Sequence, residues 1–485
     1  MNIILDRFFR LSELNTDIRT EILAGVTTFM TMAYIIFLQP AVLSGKMFGF
    51  DTGMDFNAVM VATCLAAALA TLIMGIYAGY PIAQAPGMGE NFFFVFSVMP
   101  AAAALPAVIG GKTTGWQVAL GVVFISGVIF LALSLAGIRE KIVDAISPSM
   151  KNAIAVGIGL FIAFIGLQNS GVILKDPSTA LKLNTQFISP DLVVFFVGLF
   201  FTATLHVRRV KGSILWGIGG AAFLSIFLKI FLPLWPGSAE SSLIQESMLM
   251  SRFKFPVLEG NILKCIVDVP PSIFPTLLKM DLKHAVSFTM IPFIIVFLFM
   301  DLFDTIGTLI GVSEQAGLIK ENRLPRANRV LLSDAVGTVA GACMGTSTVT
   351  SFVESTAGVE QGGRTGLTSV MTAALFIVAL FFSPIIAMIG SYPPITSPAL
   401  VVVGAMMFQN VGKIEWKDYS EAFPSFLIII GIPLFFSISD GLALGFITYP
   451  VIKFFSGKKK DVNWLMYFLS AALLVYFIVV RASIL

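Results

Sequence analysis

The sequence of 485 residues has 12% charged and 57% apolar side chains, a net charge of +3 and a mean hydropathy of +0.91. Soluble domains carry about 25% charged residues, so a water-soluble fold is excluded. Lys and Arg lie in short loops and not along one stripe, which gives no footprint for nucleic acid.

Asp6, Arg7, Arg10 and Arg19 precede a first apolar block that has no small-residue cleavage site and is too long for a signal peptide. Residues 1–20 are therefore expected to form a cytoplasmic lead-in. Apolar segments follow at 21–43, 57–79, 82–99, 116–137, 150–168, 191–206, 213–232, 285–312, 330–345, 346–361, 366–390, 396–411, 421–437 and 439–455. These fourteen segments are mostly of the length that a helix needs to cross a bilayer. The stretch 464–480 reads either as a fifteenth span or as an interfacial helix.

With the N-terminus inside, cations collect in alternate short loops: Arg139, Lys141 and Lys151, then Arg208, Arg209 and Lys211, then Lys320, Arg323, Arg326 and Arg329, and last Lys458 to Lys460. The opposite loops are poorer in cations except for 233–284, which is long enough to escape the rule. Cys64, Cys265 and Cys343 show neither a metal nor a disulfide spacing. His206 and His284 form no His-Glu-x-x-His pattern, so a zinc enzyme is not expected, and no metal or cofactor is called for.

Ordered anchors recur in two halves. Thr114-Gly115, Ser147-Pro148 and Gln168-Asn169-Ser170-Gly171 in the first match Thr365-Gly366, Ser397-Pro398 and Gln409-Asn410-Val411-Gly412 in the second. A unit of seven spans is odd, so the second copy must lie inverted, an arrangement that secondary transporters use around a site at the midplane. Two helix-breaking stretches fall in equivalent places, just before each Thr-Gly anchor. Residues 80–94 contain Pro81, Pro86, Gly87 and Gly89, while 345–358 are rich in hydroxyl and β-branched side chains. Irregular backbone at membrane depth persists only where protein or a cavity satisfies it.

Acidic residues occupy these places. Asp301 and Asp304 share a helical face inside an apolar span, where each ionised Asp costs about 2.5–3.5 kcal/mol on insertion scales. Glu354 lies in the second broken stretch, and Glu90 with Asn91 in the first; Glu90 reads equally as a site acid or as a solvent-facing one. Ionised carboxylates only accept hydrogen bonds, so such a site selects a neutral or cationic ligand rich in N–H donors and disfavours anions. A purine base fits that chemistry, and its rings could stack on a phenylalanine of the run Phe92 to Phe94 or on Phe352.

Gly25-Val26-Thr27-Thr28-Phe29-Met30-Thr31-Met32-Ala33-Tyr34, Ala85-Pro86-Gly87-Met88-Gly89, Asp301-Leu302-Phe303-Asp304-Thr305-Ile306-Gly307-Thr308 and the Glu354 segment resemble the azaguanine-type purine permeases. These form the guanine, hypoxanthine and adenine branch of the nucleobase-cation symporters, in the xanthine-uracil permease class. The resemblance runs from about Leu11 to Gly457. It implies an all-α polytopic protein of the uracil-permease fold, with two inverted seven-span repeats (21–232 and 285–457), an external loop at 233–284 and an apolar tail at 458–485. A core domain of spans 1–4 and 8–11, a gate domain of spans 5–7 and 12–14, and short strands in segments three and ten are also implied.

On the same resemblance the chain imports a purine base with a proton across the cell membrane. Glu354, Asp304, Asp301, Asn91, Gly87, Gly89, Phe92, Phe352 and Ser355 are then the substrate-site residues, with Asp304, Asp301 and Glu354 also handling the proton. A homodimer through the gate domain is compatible with the fold. Glu90 departs from the branch, which often has an uncharged residue there. The choice among purines, and of proton over sodium, stays open. An anion transporter of the same fold or a non-transporting membrane sensor are the rival readings.

Overall fold

A computed structural model describes residues 6, 8–135, 147–177, 179–234, 242–253, 267–315 and 326–475. Arg7, Arg139, Lys141, Lys320, Arg323 and Cys265, much of the external loop, and the tail beyond 475 lie outside the described residues.

The chain enters through α1 (Ile18–Met32) and α2 (Ile35–Leu43), then crosses back in α3 (Phe56–Ile73). The third segment is broken: β1 (Gln84–Pro86) is followed by the short helix α4 (Met88–Phe93), which runs on through a π-helical stretch, Phe94–Val98. Next come α5 (Gly115–Leu135), α6 (Pro148–Asn169), a hairpin of β2 (Ile173–Asp176) and β3 (Ala180–Leu183), α7 (Pro190–Val207) and α8 (Ser213–Phe231). The second half has α9 (Ile291–Gln315), α10 (Ala327–Met344), β4 (Val349–Ser351), α11 (Ser355–Glu360), α12 (Gly366–Ala379), α13 (Ser383–Gly390), α14 (Pro393–Phe408), α15 (Tyr419–Leu434) and α16 (Ile438–Phe455). The C-terminal helix α17 (Trp464–Val475) packs on α16.

The fourteen expected segments all correspond to described elements, and eight helices are long and apolar enough by themselves to cross a membrane. Helix starts follow local chemistry. Asp17, Ser147, Ser189, Thr365, Asp418 and Ser437 each accept a backbone N–H from the first turn of the helix that follows them, and Pro148 and Pro190 occupy first-turn positions where no N–H is needed. The anchors compare unevenly. Gly115 and Gly366 open α5 and α12, and Gln168 and Gln409 close α6 and α14, but Ser147-Pro148 starts α6 whereas Pro398 lies inside α14. The β2–β3 hairpin was not expected from the sequence.

Two sets of helices pack among themselves. In one, α1 and α3 lie on α12, and α10 on α3 and α5; in the other, α6 lies on α14 and α15, and α7 on α8 and α14. Lipid offers no hydrophobic incentive for helices to associate, so close contact and polar satisfaction matter more than apolar area. At the α6–α14 crossing Gly159 and Gly404 provide that contact, since a Cβ on either would strike the other's backbone.

Candidate functional site

The two broken segments meet. β1 pairs antiparallel with β4 in the register Gln84 to Ser351, Ala85 to Thr350 and Pro86 to Val349. The ladder is extended at both ends, where Gly87 N–H donates to the Thr348 carbonyl at 3.0 Å and Phe352 N–H to the Ala83 carbonyl at 3.0 Å. All six strand residues are buried. A two-stranded ladder this short leaves backbone groups over, and side chains from surrounding helices satisfy them. Ser355 Oγ accepts from Ala83 N–H at 3.0 Å, and Thr71 Oγ1 bridges the N–H and carbonyl of Gln84 at 2.9 Å each.

Glu354 stands at the turn from β4 into α11 and keeps partial exposure. Tyr34 Oη donates to its Oε1 at 2.6 Å and Thr31 Oγ1 to its carbonyl at 3.2 Å, so the interruption between α1 and α2 fixes this acid. The second carboxylate oxygen makes no hydrogen bond among the described residues and is left to accept from a ligand.

Asp301 is buried on α9, and its Oδ2 lies 3.2 Å from Thr338 Oγ1. Thr338 in turn accepts from Val349 N–H at 3.1 Å, which ties the acid to β4. Asp304, one turn on, is partly exposed and lies beside Glu90. The acids expected as one cluster thus sit in two settings, Glu354 with Tyr34, and the aspartates with Glu90 and Thr338. Among the described residues no three His, Cys, Asp or Glu side chains form a metal-holding group.

Other expected site residues have protein partners. Asn91 donates to Gln39 Oε1 and accepts from Ser347 Oγ, while Gln39 also donates to Thr346 Oγ1 at 2.7 Å. This chain links the two broken segments. Phe92 is sealed from solvent, stacked on Phe96 at 6.2 Å and edge-on to Phe161 at 6.1 Å. Phe352 is buried between β4 and Glu354. A Cβ on Gly87 would collide with the Glu90 carboxyl and lie 2.9 Å from Thr350 Cγ2; one on Gly89 would lie 3.1 Å from Ile158 on α6 and 3.7 Å from Met300 on α9.

Sequence reasoning missed Asp334. Fully buried on α10, it accepts from Gln84 Nε2 at 2.9 Å and from Thr305 Oγ1 at 2.8 Å, and Thr305 also meets Thr350 Oγ1 at 2.9 Å. One carboxylate thereby joins β1, α9 and α10. Its signal was present, an acid alone in the apolar block 330–345. Glu21, also buried and also missed, caps α12 by accepting from Arg364, Thr365 and Thr368.

A family model described as Permease family (Xan_ur_permease) matches residues 19–445. The chain belongs to that permease family. The permease is 42% identical over 479 residues to the guanine/hypoxanthine permease PbuG of Bacillus subtilis, covering 98% of this chain and 99% of that protein. It is 35% identical over 460 residues to the adenine permease AdeQ of Escherichia coli, covering 95% and 93% of the two chains. Among solved structures it resembles the transmembrane domain of the cyanobacterial bicarbonate transporter BicA, with a TM-score of 0.58 at 12% identity over 89% of this chain and 97% of the other. That likeness establishes the fold, a uracil-permease-like arrangement of inverted repeats, and the permease is an integral membrane transporter, not an enzyme.

Proposed function

We propose that this permease imports purine nucleobases by proton symport, with the base held between the β1–β4 crossing and α9. The observation that carries the reading is Glu354. Its Oε1 accepts from Tyr34 and its other oxygen is left for a ligand, so the carboxylate is fixed for the adjacent N–H donors that a purine edge presents. The relatives named for guanine, hypoxanthine and adenine transport support this. Asp304 serves as the second polar contact or a proton carrier, Asp301 holds geometry through Thr338, and Phe352 offers the stacking ring. Gly87 and Gly89 let backbone approach the ligand. Asn91, Phe92 and Ser355 contribute by holding the crossing together.

The two packing sets of helices act as core and gate, one moving against the other. Cations of the described residues, among them Lys151, Arg208, Arg209, Arg326 and Lys458, place the N-terminus in the cytoplasm of a cell-membrane protein. The anion reading rests on the fold shared with BicA, and carboxylates at the crossing oppose it. The test is uptake of labelled guanine, hypoxanthine and adenine into proteoliposomes under an imposed pH gradient and, separately, an imposed sodium gradient. A pH gradient alone should drive accumulation. Accumulation driven by sodium alone removes the proton, and absence of uptake of any purine removes the site.

A further inference from the structure

Glu90 has no role in the scheme above, yet the structure seals it at the crossing. It lies in the first turn of α4, is fully buried, and neither carboxyl oxygen has a hydrogen-bond partner among the described residues. The carboxyl folds back over Gly87, where any Cβ would collide with it, and so is aimed at the strand pair.

The charged groups that face Glu90 are all acids. On α9 these are Asp304, beside it, and Asp301. The other elements packed on α4 bring no cation to it. α2 carries no charged residue, and Tyr34 just before it is engaged with Glu354. The stretch Phe94–Val98 has no charge. α6 has one cation, Lys151, about 10 Å along the axis from Ile158, the residue that faces Gly89. Two neighbouring carboxyls cannot both be fully ionised in a buried site without a counter-ion; one proton held between them removes the conflict. Asp301 has a hydroxyl beside it from Thr338, and Glu354 one from Tyr34. Glu90 and Asp304 are the two acids left facing each other.

We infer that Glu90 and Asp304 form a proton-binding pair, and that this pair carries the coupling proton while Glu354 carries the substrate contact. The step adds one proton to a dicarboxylate pair and removes it again, with no other bond made or broken. Asp304, the partly exposed member, is where the proton enters and leaves; Glu90 keeps it from solvent between. As a coupling scheme this rests on the transport reading above, so its test has one arm that needs no transport.

In that arm, infrared difference spectra of the purified protein in detergent are recorded through a pH titration. The wild type should show the C=O stretch of a protonated carboxyl that titrates, and both Glu90→Gln and Asp304→Asn should remove it. A band unchanged in Glu90→Gln overturns the pair. In the second arm, proteoliposomes carrying Glu90→Gln should lose accumulation under a pH gradient by about tenfold more than they lose purine exchange, with partial recovery in Glu90→Asp. Accumulation at the wild-type level, or equal loss of accumulation and exchange, also overturns it. If Glu90→Gln does not give monodisperse protein, Glu90→Asp decides: the shorter acid should shift the band, and an unmoved band counts against the pair. Lack of purine exchange by the wild type would remove the purine reading and leave the infrared result to judge the pair alone.

Discussion

The two broken segments pair as equal strands, yet each treats its acid differently. Glu354, after β4, receives a hydrogen bond from Tyr34 and keeps partial exposure; Glu90, after β1, is sealed, lacks a donor and faces other acids. A carboxylate with a fixed donor is stabilised as an anion and its remaining oxygen is oriented, which suits ligand binding. A carboxyl packed against acids is set up to hold a proton. Inverted repeats supply the same backbone twice, and the neighbours of each copy give it a different task.

The largest effects should come from crowding the β1 side. Gly87→Val and Gly89→Val should abolish uptake while the protein stays in the membrane, as measured by labelled-base uptake beside fluorescence size-exclusion. Near-normal uptake by both would take the first segment out of the site. The alanine variants sharpen the point. Gly87→Ala should already fail, because its methyl displaces the Glu90 carboxyl, whereas Gly89→Ala meets only the flexible ends of Ile158 and Met300 and should retain substantial uptake.

Next in size is Glu354→Gln. Replacing a charged acceptor by a neutral amide should weaken purine binding by about 1.5–3 kcal/mol, roughly ten- to a hundredfold, in a scintillation proximity assay. Unchanged affinity would mean that the base is held elsewhere. Tyr34→Phe removes only the donor that fixes that acid, so affinity should fall by about 1 kcal/mol, roughly fivefold, with the protein otherwise intact. An effect as large as that of Glu354→Gln would give Tyr34 a direct substrate contact.

The smallest effect is expected far from both segments. His206, Arg208 and Arg209 lie where α7 ends, and only a weak contact of His206 with Ser213, at 3.3 Å, would be lost on changing all three to Ala. Substrate affinity should not change. A tenfold loss would place this end of α7 in the site and upset the comparison between the two crossing segments.

Much of the site was legible because single residues violated a local rule. Asp301, Asp304 and Glu354 stood out as acids in apolar segments, and Pro86, Gly87 and Gly89 as helix breakers, without any knowledge of their neighbours. Asp334 obeyed the same signal and was passed over. The Ser397-Pro398 anchor misled because proline fits both the first turn of a helix, as at Pro148, and the interior of a membrane helix, as in α14.

The sequence by itself determined the number and position of the spans, their two interruptions and the acids within them. The bilayer makes this possible, since it requires long apolar stretches and makes each helix break or charge costly within its own segment. Only the tertiary structure decided what each acid does. Tyr34 and Glu354 are 320 residues apart, Gln84 and Asp334 250, and Asn91 and Ser347 256. A carboxyl's role depends on whether a donor, a ligand or another carboxyl reaches its oxygens, and that is a property of neighbours in space that no local pattern encodes.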